Sequence, residues 1–195
     1  MELIELLKKS RSYRRFDENY KIEKETLTEL IESSRFAPST VNSQAIRYIL
    51  VNTAQENAKI FDTLSFAGLL KGAGTPKEGE RPTAYIIMLC DKTVGTDKRF
   101  DDGIMAQTIM LSACEKGLGG CILGAINKEK LMESFGIDCG RYSIELVLAL
   151  GKPKETVILT DIEEGDSTAY YRDSEGRHYV PKRKTKELIL DIYSE

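Results

Sequence analysis

Ala84-Tyr85-Ile86-Ile87-Met88-Leu89-Cys90 is a near-continuous apolar run of strand length. A strand with one solvated face alternates apolar and polar residues, so a run without alternation belongs to a strand covered on both sides. This strand therefore lies at the centre of a sheet, and helices must pack above and below it. Outward from it, the apolar spacing predicts helices over 24–36 (Leu27, Leu30, Ile31, Phe36), 54–64, 100–116 and 128–135, with a shorter one over 2–9. Strands are expected at Tyr48 to Val51, Leu118 to Gly124, Ile144 to Leu150 and Arg177 to Val180. Pro38 stops the second helix by excluding Ala37 from the helical region, and Gly117 ends the helix over 100–116 as a left-handed cap. That helix is apolar nearly all round, so the core or a subunit interface must cover it. Helices and strands alternate as in α/β or α+β proteins, while periodicity leaves strand order open.

The chain has 195 residues, suited to a single domain, with two irregular excursions expected at 68–82 and 156–174. Lys and Arg number 28 against 31 Asp and Glu, a net charge of -3, so the molecule as a whole does not attract nucleic acid and any anion site is local. Cys90, Cys114, Cys121 and Cys139 show no C-x-x-C spacing and read as reduced thiols. With neither a signal peptide nor an apolar run approaching about 18 residues, the sequence reads as cytoplasmic and without a membrane partner.

Chemistry concentrates in Ser10-Arg11-Ser12-Tyr13-Arg14-Arg15-Phe16, where three guanidiniums and two serine hydroxyls follow directly on a helix. Arginine forks match phosphate oxygens in pairs, so this segment suits a dianion, although a solvated basic turn has the same composition. Pro181-Lys182-Arg183-Lys184 forms a second basic cluster. The lone histidine, His178, stands among polar residues and reads as a surface side chain, which argues against a Ser-His-Asp triad and two-histidine metal sites. Asp101 and Asp102 read as helix caps rather than magnesium ligands. No GxxxxGK[ST] and no post-strand GxGxxG is present, so the phosphate cradles of P-loop and dinucleotide-binding folds are missing. A chain this poor in acid, base and nucleophile constellations suits a cofactor with its own reactivity. Flavin mononucleotide is one: its phosphate needs cations, its ribityl chain and ring need hydrogen bonds, and its N1–C2 edge gains negative charge on reduction.

The ordered set of motifs resembles the nitroreductase family of FMN-dependent, NAD(P)H-oxidising flavoproteins across nearly the whole chain. The matching pieces are R-S-x-R at Arg11 to Arg14, A-P-S-x-x-N-x-Q at Ala37 to Gln44, a D-x-G-x-x-x-Q helix taken from Asp102 to Gln107 with one residue fewer, G-L-G-x-C at Gly117 to Cys121, and the basic Pro181 to Lys184. The resemblance implies an α+β, α/β/α-like fold with a central, mostly antiparallel sheet flanked by helices, in an intertwined homodimer sharing two FMN sites. It implies that Arg11 and Ser12 hold the phosphate with Lys182 and Lys184, Arg183 being an alternative. Arg14 would reach the N1–C2 edge. Pro38, Ser39, Asn42 and Gln44 would contact ring and ribityl chain from the opposite subunit, with Leu123 and Gly124 near N5. The implied reaction is a ping-pong hydride transfer from NAD(P)H through flavin N5 to an acceptor such as a nitroaromatic or quinone. The expected partners are thus NAD(P)H and a small oxidised acceptor.

Two departures bear on the substrate. Ala45-Ile46-Arg47 replaces the proline and frequent tryptophan that follow the glutamine in the family, and the absence of tryptophan leaves stacking to Phe66, Tyr170 or Tyr171. The altered wall admits a second reading, a flavin-binding or flavin-handling protein of the same fold without turnover. A third makes the basic segments a site for a phosphorylated ligand or nucleic acid, with little aromatic platform beyond Tyr13 and Phe16 to serve it.

Overall fold

The computed structural model describes residues 2–70, 73–94 and 100–194. β3 (Ala84–Asp91) lies between β2 (Ile46–Val51) and β5 (Tyr142–Pro153), antiparallel to both. β4 (Gly119–Leu123) pairs antiparallel with β5, and β1 (Phe16–Asp17) adds to the far end of β5, with Phe16 opposite Pro153. Every residue of β3 is buried. Its pleat sends Ala84, Ile86 and Met88 to one side, where α2 (Lys24–Arg35) supplies Leu27 and Leu30 and α4 (Asp101–Glu115) supplies Met105, Ala106, Ile109 and Ala113. Tyr85, Ile87 and Leu89 point the other way, onto Ile60 of α3 (Ala54–Phe61) and Leu131 of α5 (Lys128–Phe135). The unalternating run thus becomes the middle layer of three, and each buried isoleucine or leucine contributes about 1.5–3 kcal/mol of transfer free energy.

α4 buries most of its circumference against α2 and the sheet. A strip remains in which Phe100 is 69% and Ile104 37% exposed. α1 (Leu3–Lys9) buries no side chain; it precedes the basic segment and carries Leu3 and Ile4 on the surface.

The chain after β5 departs from the sequence expectation. The span 156–174 is not wholly irregular: β6 (Val157–Ile162) pairs in parallel with β8 (His178–Arg183), and β7 (Tyr171–Arg172) runs antiparallel to β8. A parallel pair needs a long crossover, and residues 163–177 provide it. β8 extends past the predicted Val180, and Pro181 is tolerated opposite Thr160. His178 is not a surface residue but 1% exposed, because β8 turns it under Tyr170 and against the basic segment. The last helix is the single turn α6 (Thr185–Leu188), beyond which Leu190 is fully exposed. Among its described residues the span 68–82 has a turn of 3-10 helix at Gly68–Leu70 and is otherwise irregular, while residues 71 and 72 lie outside the described residues. Among the described residues no helix is long and apolar enough to cross a membrane.

Candidate anion and cofactor site

The basic segment is held to β4 by main-chain hydrogen bonding. The Tyr13 N–H donates to the Gly120 carbonyl at 2.9 Å, and Ser12 bridges Gly120 in parallel. Only glycine fits there, since a Cβ on Gly120 would lie 2.3 Å from the Ala149 carbonyl oxygen and 2.8 Å from Met110 Cε. Glu155 fixes the other end of the segment. Its Oε1 accepts from the backbone N–H groups of Arg14 and Arg15, while Oε2 accepts from Arg172 Nη2 at 2.6 Å. The carboxylate is 1% exposed, so these donors replace its water shell.

A cleft of about 260 Å³ opens over this frame. Ser10, Arg11, Ser12 and Arg14 form one wall, Gln107 and Met110 of α4 and Gly120 and Ile122 of β4 form the floor, and Tyr170, His178, Val180 and Lys182 close the remaining side. Alternation along β8 selects its contributors, because His178, Val180 and Lys182 share one face. Arg14 is 9% exposed; its Nη1 approaches the Ser12 carbonyl and His178 Nε2, each at 3.4 Å, and its guanidinium lies 5.2 Å from the Tyr170 ring centre. Burial, then the Arg14 charge, pushes the His178 pKa below its ordinary value. Burial also raises the Cys121 thiol on the opposite face of β4. Three enclosed nitrogens of cleft residues, Arg11 Nε, Arg14 Nε and His178 Nδ1, have no hydrogen-bond partner among the described residues. Buried polar groups rarely go unpaired, so an anionic or acceptor-rich ligand fits this donor set.

The structure brings Arg11, Ser12, Arg14 and Lys182 into one cleft, but not Lys184. That lysine lies past the end of β8, where its ammonium pairs with Glu163. Leu123 is buried in the core and can offer a ligand only its backbone, whereas Gly124 is exposed. Ser39, Asn42 and Gln44 line a second cleft, of about 220 Å³, between α2 and β2, with Ala45, Ile46 and Arg47. Pro38 is exposed beside it. In a single chain these loop residues do not complete the first cleft. Among the stacking candidates, Tyr170 lines the cleft, Phe66 is core, and Tyr171 stacks on Tyr179 with ring centres 5.0 Å apart.

Asp101 does not cap α4. Its Oδ1 accepts from both the N–H and the hydroxyl of Thr40, each at 2.8 Å, and so ties the Ser39 to Gln44 loop to the helix. The D-x-G-x-x-x-Q motif thus reads from Asp101 to Gln107 at full length, and its two ends hold the loop and line the cleft. Gln107 was legible from that motif. Glu155 and Arg172 carried no local signal, because their roles depend on contacts that cross the chain.

Comparison with known proteins agrees with this layout. YdgI of Bacillus subtilis (strain 168), provisionally named an NAD(P)H nitroreductase, is 26% identical over 184 residues, covering 77% of this chain and 88% of its own. An FMN-dependent nitroreductase from Clostridium difficile R20291 superposes with a TM-score of 0.65 at 24% identity, over 78% of this chain and 88% of that one. A structure from Desulfovibrio desulfuricans, solved in complex with FMN, reaches a TM-score of 0.72 at 20% identity and covers 98% of this chain and 97% of that one. At such identities the superpositions speak for the fold. The model of the nitroreductase family matches residues 7–83 and 96–152, taking in the basic segment, the Ala37 to Gln44 loop, α4, β1, β2, β4 and β5 up to Lys152, while β3 falls in the interval between the two matched segments. With well over half of its length matched by the family model, the chain belongs to the nitroreductase family.

Proposed function

We propose that the protein is an FMN-dependent oxidoreductase that passes hydride from NAD(P)H to a small oxidised acceptor such as a nitroaromatic or quinone. The observation that carries this reading is the convergence of Arg11, Arg14 and Lys182, drawn from opposite ends of the chain, on one cleft with three enclosed and unpartnered nitrogens. Family membership and the FMN held by the Desulfovibrio desulfuricans relative support it. When bound, FMN would supply the two-electron relay between reductant and acceptor.

The residues of the chain bind, orient and stabilise. Arg11, Ser12 and Lys182, which share the cleft, would hold the phosphate. Arg14, its backbone fixed by Glu155, would stabilise the negative charge that develops at the N1–C2 edge, an electrostatic contribution of about 3 kcal/mol in a preorganised site. Gly124 and the Leu123 backbone would face N5. Pro38, Ser39, Asn42 and Gln44 would complete the site from a second subunit, and the exposed Phe100 and Ile104 strip of α4 supports a homodimer. Asp101 would hold that loop in place.

An absorbance spectrum of the purified protein, followed by anaerobic titration with NADH and NADPH, tests the reading. A yellow protein bleached by one of the two reductants is expected; a colourless protein that does not take up added FMN would refute it. Arg14→Ala should slow bleaching more than it weakens FMN retention, and equal loss of both would argue against the assigned role.

A further inference from the structure

His178 lies beyond residue 152, where the match to the family model ends, and it is the sole histidine. Its Nε2 stands 3.4 Å from Arg14 Nη1, and a guanidinium can only donate, so Nε2 must offer its lone pair. The proton of the neutral ring then sits on Nδ1. Protonating Nε2 as well would set donor against donor beside Arg14, with Arg15 and Arg172 adding positive charge and Glu155 opposing it. Burial disfavours the charged ring further. Yet Nδ1 is enclosed and has no acceptor. Tyr170 packs against the ring with centres 5.4 Å apart and offers no hydrogen bond. A donor left in this state is costly unless a ligand satisfies it.

We propose that His178 is a ligand-binding residue of the cleft, donating through Nδ1–H to a flavin ring or ribityl acceptor that also faces Arg14. The inference rests on the flavin reading above. A neutral donor suits an uncharged carbonyl or hydroxyl oxygen, whereas the phosphate already has Arg11 and Lys182. Arg14 would thus do two things, reaching the ligand itself and fixing the tautomer through which its neighbour reaches it.

The test measures FMN and riboflavin dissociation constants by fluorescence quenching at pH 7.5 for the wild-type chain and three variants. His178→Phe should weaken both ligands by roughly tenfold, the equivalent of one lost hydrogen bond. His178→Asn, whose amide nitrogen can occupy the Nδ1 position, should recover most of that loss. His178→Gln, whose amide reaches the Nε2 position, should not. Wild-type affinity in His178→Phe would overturn the proposal, as would rescue by Gln rather than Asn. A loss seen with FMN but not riboflavin would move the contact to the phosphate and overturn it as well. Should His178→Phe fail to fold, the Asn against Gln comparison decides. A wild-type chain that binds neither ligand would remove the flavin reading and this inference together, whereas failure of the variants' pattern alone leaves that reading standing.

Discussion

Glu155 and Arg172 meet at 2.6 Å with their side chains 1% and 10% exposed, and the same carboxylate takes the N–H groups of Arg14 and Arg15. One buried charge therefore joins the C-terminal sheet to the basic segment. Removing either partner of such a pair leaves the other desolvated, which costs about 3–5 kcal/mol. Arg172→Ala should lower the urea midpoint accordingly and loosen FMN binding with it, although Arg172 does not line the cleft. An unchanged midpoint would show that the pair is not buried in solution.

Asp101 predicts a loss that reaches the neighbouring loop. Thr40 donates to its Oδ1 twice, so Asp101→Ala should cost about 2 kcal/mol for a pair of bonds to a buried carboxylate. Amide exchange should rise at Thr40 first. Exchange rising along α4 while Thr40 stays protected would mean that Asp101 serves the helix instead.

Val41 is 93% exposed and has φ 47°, ψ 27°, in the left-handed region that a β-branched residue disfavours. Among the described residues nothing packs over the Val41 side chain to repay this conformation. Val41→Gly should raise chain stability by about 1 kcal/mol by removing the Cβ clash. A drop in stability would show that the side chain packs somewhere, and a drop that grows with dilution would place that contact in a second subunit.

The lowered pKa of His178 fixes the sign of a pH effect. The unfolded ring takes up a proton near its ordinary pKa of 6.5, while the folded ring stays neutral to lower pH. Stability from this residue is therefore full above about pH 6.5 and falls as pH drops through it, until the folded pKa is reached. The groups acting on the ring are Arg14, Arg15 and Arg172, which disfavour its charge, and Glu155, which favours it. Urea midpoints between pH 7.5 and 5.5 should fall less in His178→Asn than in wild type. Parallel declines would mean that other groups govern the range.

The central sheet was legible because its signal is local. Ala84 to Cys90 cannot alternate and still be half solvated, so β3 could be placed before any pairing was known. Arg11, Ser12, Arg14 and Lys182 were legible from motif, and the structure places them together. Of the C-terminal sheet only β8 was legible, as the strand expected at Arg177 to Val180. Its parallel pairing of Val157 with His178 leaves no turn signal, and the polar Glu163 to Glu175 crossover reads as loop. His178 was misread for a related reason: its sequence neighbours are charged, but the alternation of β8 turns them outward and the histidine inward. Asp101 looked like a cap because it starts a helix, and only the fold reveals that Thr40 lies within reach.

The contact between Arg14 and His178 spans 164 positions of the polypeptide. During synthesis the first wall of the cleft leaves the ribosome long before the last, and Tyr170, His178 and Lys182 emerge only after every strand of the central sheet. Whatever small molecule the cleft holds then finds its last wall only once β8 is in place. Saturation of the protein in cells would follow the supply of that molecule rather than the rate of chain production.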